Sequence, residues 1–152
     1  MHGFERLGPV ASHETVVVQG AGPVGLYCAA VARDKGARQV LIVGAPADRL
    51  AIAKEFGADA TLNLDDCPDE EARRDRVRDH SSVRGPDIVF NCATGAALLE
   101  GLRFIRPGGR YISIGGGGGG QTSTPFTLGT YTTIISILAA VGRHFYQALE
   151  FL

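Results

Sequence analysis

The sequence predicts an α/β fold: one domain built on a six-stranded, parallel, doubly wound sheet. Three observations carry this. Strand-like and helix-like segments alternate six times along the chain, the pattern that right-handed crossovers turn into a parallel sheet. Gln39-Val40-Leu41-Ile42-Val43 is a continuous apolar run, as a strand covered on both faces requires. Finally, Thr15-Val16-Val17-Val18-Gln19 breaks off into Gly20-Ala21-Gly22-Pro23-Val24-Gly25 just ahead of an Ala-rich segment.

That third stretch organises the rest. A β-branched run, a glycine turn and a helix form the opening of a dinucleotide-binding βαβ unit of Rossmann type. Each glycine has its own duty. Gly20 takes the tight turn off the strand, Gly22 leaves room for a pyrophosphate to approach the main chain, and Gly25 lets the helix lie close to the strand. The free N–H groups of the first helical turn, with the positive end of the helix dipole, then face the phosphates. In a chain with 21 glycines the same pattern also suits a structural turn without a ligand.

The other elements follow in order. Residues 1–14 read as a polar lead-in interrupted by Gly8-Pro9. The first strand covers Thr15–Gln19. Its helix runs from Pro23, suited to a first helical turn, to Lys35, with Gly36 as C-terminal cap. Residues 39–43 are the second strand. A helix over Asp48–Phe56 buries Leu50, Ile52-Ala53 and Phe56 on one side and stops at Gly57. Ala60–Leu64 is a third strand. Pro68–His80 places Asp69, Glu70 and Glu71 early and Arg73, Arg74, Arg76 and Arg78 late, which complements a helix dipole. Those arginines read as a solvated helix face.

Pro86–Asn91 is the fourth strand and runs into Cys92-Ala93-Thr94-Gly95. A helix over Ala96–Ile105 ends at Arg106-Pro107-Gly108-Gly109. Arg110–Ile114 is the fifth strand, followed by six consecutive glycines, Gly115–Gly120, which suit either a flexible loop near a bound ring or a low-complexity stretch. Thr132–Leu138 is the sixth strand, and a last helix begins near Arg143. The blunt apolar end, Phe151-Leu152, reads as that of a domain (residues 15–152) excised from a larger protein.

Composition excludes several classes. A net charge of −1 gives no footprint for nucleic acid or an anionic membrane, and no apolar run approaches the roughly 20 residues of a membrane span. Cys28, Cys67 and Cys92 are odd in number and lack CxxC spacing; they read as reduced thiols of a cytoplasmic protein. Four scattered histidines offer no metal-binding spacing, so no metal site is expected in this chain.

Three motifs in register are specific enough to name a family. Gly20-Ala21-Gly22-Pro23-Val24-Gly25, then Asp48-Arg49-Leu50 with Ala53-Lys54-Glu55-Phe56-Gly57-Ala58-Asp59, then Arg106-Pro107-Gly108-Gly109-Arg110, resemble the cofactor-binding domain of the medium-chain, zinc-type alcohol dehydrogenases. The resemblance covers about Gly8 to Leu152. It implies a domain that holds NAD or NADP for hydride transfer with an alcohol, aldehyde or ketone. It also implies that zinc and the proton relay, where the parent uses them, sit on a separate catalytic domain, so that this chain by itself does not turn over an alcohol.

By position, the resemblance assigns the pyrophosphate to Gly20, Gly22, Pro23, Val24 and Gly25. Gly44 and Ala45 stand at the end of the second strand, beside the adenosine. Arg49 falls where the family places a basic residue near the adenosine ribose, and equally suits a surface helix position. Cys92, Ala93 and Thr94 would line the cofactor cleft, with Cys92 a small buried residue rather than a nucleophile. Ile114, Gly115 and Gly116, with Thr133 and Ile135, would give main-chain partners to the nicotinamide carboxamide. No catalytic residue is expected.

One departure bears on cofactor choice. NAD-preferring loops carry Asp or Glu about 20 residues beyond the glycines, on the ribose 2′-OH. Here that place is Gly44. Its lack of charge admits a 2′-phosphate, and only Arg49 is placed to pair with one, so a weak preference between NAD and NADP is expected. The resemblance also implies a homodimer through the sixth strand, Tyr131 to Ala140, long and apolar for an edge. The alternative function is a stand-alone dinucleotide-sensing regulatory module without catalysis.

Overall fold

Thr15–Gln19 forms β1, buried along its whole length in the computed structural model, which describes residues 1–115, 131–137 and 142–151. Its flanking partners are β2 (Gln39–Gly44) and β4 (Ile88–Asn91), both parallel to it. With β3 (Ala60–Asn63), β5 (Arg110–Ser113) and β6 (Thr133–Ser136) the order is β3-β2-β1-β4-β5-β6, parallel throughout. The chain adds β2 and β3 on one side of β1, then returns to add the rest on the other. A crevice therefore opens between the carboxyl ends of β1 and β4, where ligands of such sheets lie.

Strand alternation divides the core in two. Val16, Val18, Val40, Ile42, Ile88, Phe90 and Ile112 face one way, toward Leu26, Ala29 and Ala32 of α2 (Pro23–Asp34) and Leu50 of α3 (Ala47–Ala51). Val17, Leu41, Val43, Leu62, Val89 and Tyr111 face the other, toward Val77 of α4 (Glu70–Asp79) and Phe104 of α5 (Ala97–Phe104). Each large side chain so buried contributes about 1.5–3 kcal/mol. Tyr111 brings a polar tip into this layer, and its hydroxyl donates to the Leu98 carbonyl at 3.2 Å, as a buried phenol must.

The edge opposite the crevice is fastened by charge. Asp87 accepts from the Thr15 N–H at 2.7 Å, the Thr15 hydroxyl at 3.0 Å and Arg106 Nε at 2.6 Å. Burial pushes the Asp87 carboxyl up, but the Thr15 and Arg106 donors outweigh it and hold the group below its ordinary value.

The expected strands are present, and the differences lie in the helices and at element ends. Residues 1–14 are more than a polar lead-in: His2–Leu7 is a helix, α1. Phe4 and Leu7 lie one turn apart and both are buried, with the Phe4 ring 4.5 Å from that of Phe90. Arg110 anchors the exit from α1, donating to the Leu7 and Pro9 carbonyls at 3.0 and 2.8 Å and pairing with Glu14 at 2.5 Å. Docking onto the sheet thus stabilises a helix too short to stand alone. The expected helix over residues 48–56 is instead α3 plus a tight 3-10 turn over Ile52–Lys54. The chain there turns sharply through Gly57, at φ +82°, to place Asp59 N–H on the Val40 carbonyl at 2.8 Å. β6 is shorter than expected, and the last helix, α6, spans Gly142–Phe151. Gly116–Gly120 and Leu138–Ala140 lie outside the described residues.

Candidate functional site

The rim is built from the glycine turn outward. Gly20 has φ +104°, and a Cβ on it would stand 3.2 Å from the Cys92 carbonyl carbon. Gly22 caps α2 in extended conformation, with Pro23 at the start of the helix, where its missing N–H costs nothing. The first bond of the helix is Leu26 N–H to the Gly22 carbonyl at 3.0 Å. Among the described residues, the N–H groups of Val24 and Gly25 accordingly have no acceptor. Among the described residues, a Cβ on Gly22 would meet nothing within 4 Å. The result is a pair of orphan donors at a helix N-terminus with open space before them, the arrangement that holds an anion.

Two recesses flank this turn. A cleft of about 170 Å³ is lined by Gln19, Gly20, Val43, Gly44, Ala45 and Ala93, among others, between the ends of β2, β1 and β4. A larger, mainly apolar groove of about 520 Å³ lies on the other side, against Pro23, Val24, Ile114 and Ile137. Val24 is 52% exposed and Tyr27, one turn on, 43% exposed, so the groove side of α2 is left uncovered.

The structure places most of the expected residues on this rim. Gly20, Gly22, Pro23, Val24 and Gly25 form the turn, and Gly44, Ala45 and Ala93 line the smaller cleft. Gly44 has a steric duty as well: a Cβ there would stand 2.8 Å from the Ala21 nitrogen. Cys92 follows β4, its N–H donating to the Gln19 carbonyl at 2.8 Å, and Thr94 is exposed beyond it. Ile114 and Gly115 both donate to the Asn91 carbonyl at 2.8 Å, and a Cβ on Gly115 would overlap the Ala93 carbonyl oxygen. Arg49 is exposed on α3 and makes no ion pair among the described residues.

The β6 residues are divided. Thr133 pairs with Arg110 and Ile135 with Ile112, so Thr133 stands at the amino end of its strand, away from the rim. Ile137, whose N–H donates to the Ser113 carbonyl at 2.8 Å, reaches the rim instead. Gly116 lies outside the described residues.

Three features of the rim escaped sequence reasoning. Gln19 is 2% exposed, and its Oε1 has no hydrogen-bond partner among the described residues; alternation along β1 puts it on the side of Val17, and that period was the available signal. Glu100 also lines the smaller cleft, but Arg73 pairs with it at 2.5 Å and neutralises it there. Cys28 and Cys92, far apart in sequence, bring their sulfurs to 3.7 Å. Among the described residues no group of His, Cys, Asp or Glu is disposed to hold a metal ion.

Residues 23–152 match the zinc-binding dehydrogenase family. The chain belongs to that family. It corresponds to the cofactor-binding domain of medium-chain, zinc-type alcohol dehydrogenases, as its relatives show. It is 36% identical to 5-exo-hydroxycamphor dehydrogenase of Pseudomonas putida, across 99% of this chain and 42% of that protein. Sorbitol dehydrogenase of Rattus norvegicus is 36% identical across 74% of this chain and 31% of its own length. The crystal structure of an alcohol dehydrogenase from Thermotoga maritima superposes with a TM-score of 0.86 at 33% identity, covering 99% of this chain and 42% of that one. The chain thus spans about a third to two fifths of the length of these relatives. No helix among its described residues is long and apolar enough to cross a membrane.

Proposed function

We propose that this chain holds NAD or NADP for an oxidoreductase acting on an alcohol, aldehyde or ketone. The observation that carries the reading is the pair of unbonded N–H groups, on Val24 and Gly25, facing the open space over Gly22 between two recesses. A diphosphate seated there would send its adenosine toward Gly44 and Ala45 and its nicotinamide toward Val24, Ile114 and Ile137. The apolar groove suits an uncharged reduced ring and excludes water from it. When bound, the cofactor supplies or accepts the hydride; this chain's residues bind and orient it. The metal and the acid–base group belong, in this reading, to a separate catalytic domain of a larger cytoplasmic enzyme, and the chain alone is inactive. The family match favours this reading over a stand-alone dinucleotide sensor.

NADH fluorescence titration tests it. Saturable binding, competed by NAD and weakened at least tenfold by a side chain at Gly22, is the expected result. No binding of either dinucleotide would overturn it. The exposed edge also supports a homodimer through β6: Ile134, on the last strand of the sheet, is 45% exposed, and Tyr131, just ahead of that strand, is 96% exposed.

A further inference from the structure

We propose that Cys28 and Cys92 form an oxidisable dithiol behind the glycine turn, which a small hydroperoxide converts into an intrachain disulfide that weakens dinucleotide binding. The disulfide stands on the geometry alone; its effect on binding rests on the function proposed above.

The pair is brought together by the same close approach that makes the turn. Gly25, Leu26, Cys28, Ala29 and Ala32 form the buried side of α2. A Cβ on Gly25 would overlap the Gly20 carbonyl oxygen, so its absence lets the helix lie directly over the strand end. That drops the Cys28 sulfur to 3.7 Å from the Cys92 sulfur, whose residue is fixed by its N–H bond to the Gln19 carbonyl. Cys28 lines the larger groove and Cys92 is only partly buried, so a molecule the size of peroxide has a route in. Cys67 is a built-in control. It is buried in the other core layer, with Leu62 and Val77.

The contact also differentiates the two thiols. The Cys92 S–H donates to the Cys28 sulfur, which holds Cys28 below the ordinary thiol value despite burial, and the same contact, with burial, pushes Cys92 up. Cys28 is therefore the attacking sulfur. Its thiolate attacks one peroxide oxygen, the O–O bond breaks, and Cys28 becomes a sulfenic acid. The released hydroxide takes up the proton the Cys28 thiol gave up, leaving as the first water. The Cys92 sulfur then attacks that sulfur, the S–O bond breaks, and the departing hydroxide leaves as water with the Cys92 proton. Two thiols and one hydrogen peroxide thus yield one disulfide and two waters.

Closing the bond requires the sulfurs to move from 3.7 Å to about 2.05 Å. There is little slack for it. The Cys92-Ala93 backbone lies against Gly20 on one side, and the Ala93 carbonyl against Gly115 on the other. The movement falls on the glycine turn and loosens the seat of the diphosphate.

Peptide mapping of the purified protein after equimolar hydrogen peroxide tests the linkage. Tryptic peptides 7–33, 55–73 and 85–103 each carry one cysteine. The expected product has lost two hydrogens, links 7–33 to 85–103, and is reversed by dithiothreitol. Cys28→Ser and Cys92→Ser should each abolish the link, and Cys67→Ser should leave it intact. A sulfinic acid with no linked peptide, or a link through 55–73, would overturn the proposal, and the unsubstituted protein alone is enough to decide it. NADH titration of reduced and oxidised protein then tests the consequence. At least tenfold weaker binding after oxidation supports it, and unchanged affinity with the link formed refutes the coupling. Failure of the reduced protein to bind NADH would count against the proposed function and not against the disulfide.

Discussion

The carbonyl oxygen of Gly20 occupies the place a Cβ on Gly25 would take. Gly22, between them in the same motif, has open space where its Cβ would stand. One glycine is required by the fold and the other by what the fold leaves room for, and substitution separates the two duties.

Gly25→Ala should destabilise the protein by about 1–3 kcal/mol, because helix and strand must part to admit one methyl. Urea denaturation measures the loss, and NADH binding should vanish with the displaced turn.

Gly22→Val should cost no more than about 1 kcal/mol, the preference for glycine over valine at a helix cap. Its extended backbone, φ −80° and ψ 176°, accepts any residue. Affinity for NADH should nevertheless fall at least tenfold in a fluorescence titration. Unaltered affinity would show that no diphosphate sits over this residue.

In the proposed reading Arg49, exposed on α3, pairs with a 2′-phosphate. Arg49→Ala should weaken NADPH by about ten- to a hundredfold, the worth of one charge-assisted bond, and NADH far less. In the unsubstituted protein the two dinucleotides should differ by less than a hundredfold, because Gly44 offers neither a carboxylate nor a cation.

Asp87 gives the protein an acid limb. Its folded-state pKa lies below the ordinary value, so its stabilisation is complete above that ordinary value and is lost as pH falls through the folded one. Asp87→Asn should cost about 1–3 kcal/mol at neutral pH. The gap from the unsubstituted protein should shrink as acid protonates Asp87, which thermal melts across the acid range would show.

The β6 edge predicts self-association. Sedimentation at tens of micromolar should show a two-fold dimer, dissociated by Ile134→Lys through charge repulsion across the axis. A monomer for the unsubstituted protein would rule the interface out.

Local chemistry made much of this readable from the sequence. The β-branched run into Gly20 and the continuous apolar β2 announce themselves by composition, and Gly36 and Gly57 end their elements at positive φ, +89° and +82°, where glycine is favoured. What stayed hidden was set by tertiary contact. Nothing local makes His2–Leu7 a helix; Phe4 becomes helical by seating on Phe90. Thr133 looked like a rim residue because strand register is invisible until Arg110 is seen beside it. The Cys28–Cys92 contact spans 64 positions, and no periodicity encodes it.

Thr15 and Asp87 lie 72 residues apart, yet they join the two strands whose far ends frame the crevice. Bringing such distant segments together carries the loop-closure entropy that slows folding. A nascent chain therefore exposes the glycine turn well before its second wall arrives. A dinucleotide bound as proposed cannot template the early steps, and its binding would report a domain already assembled through β4.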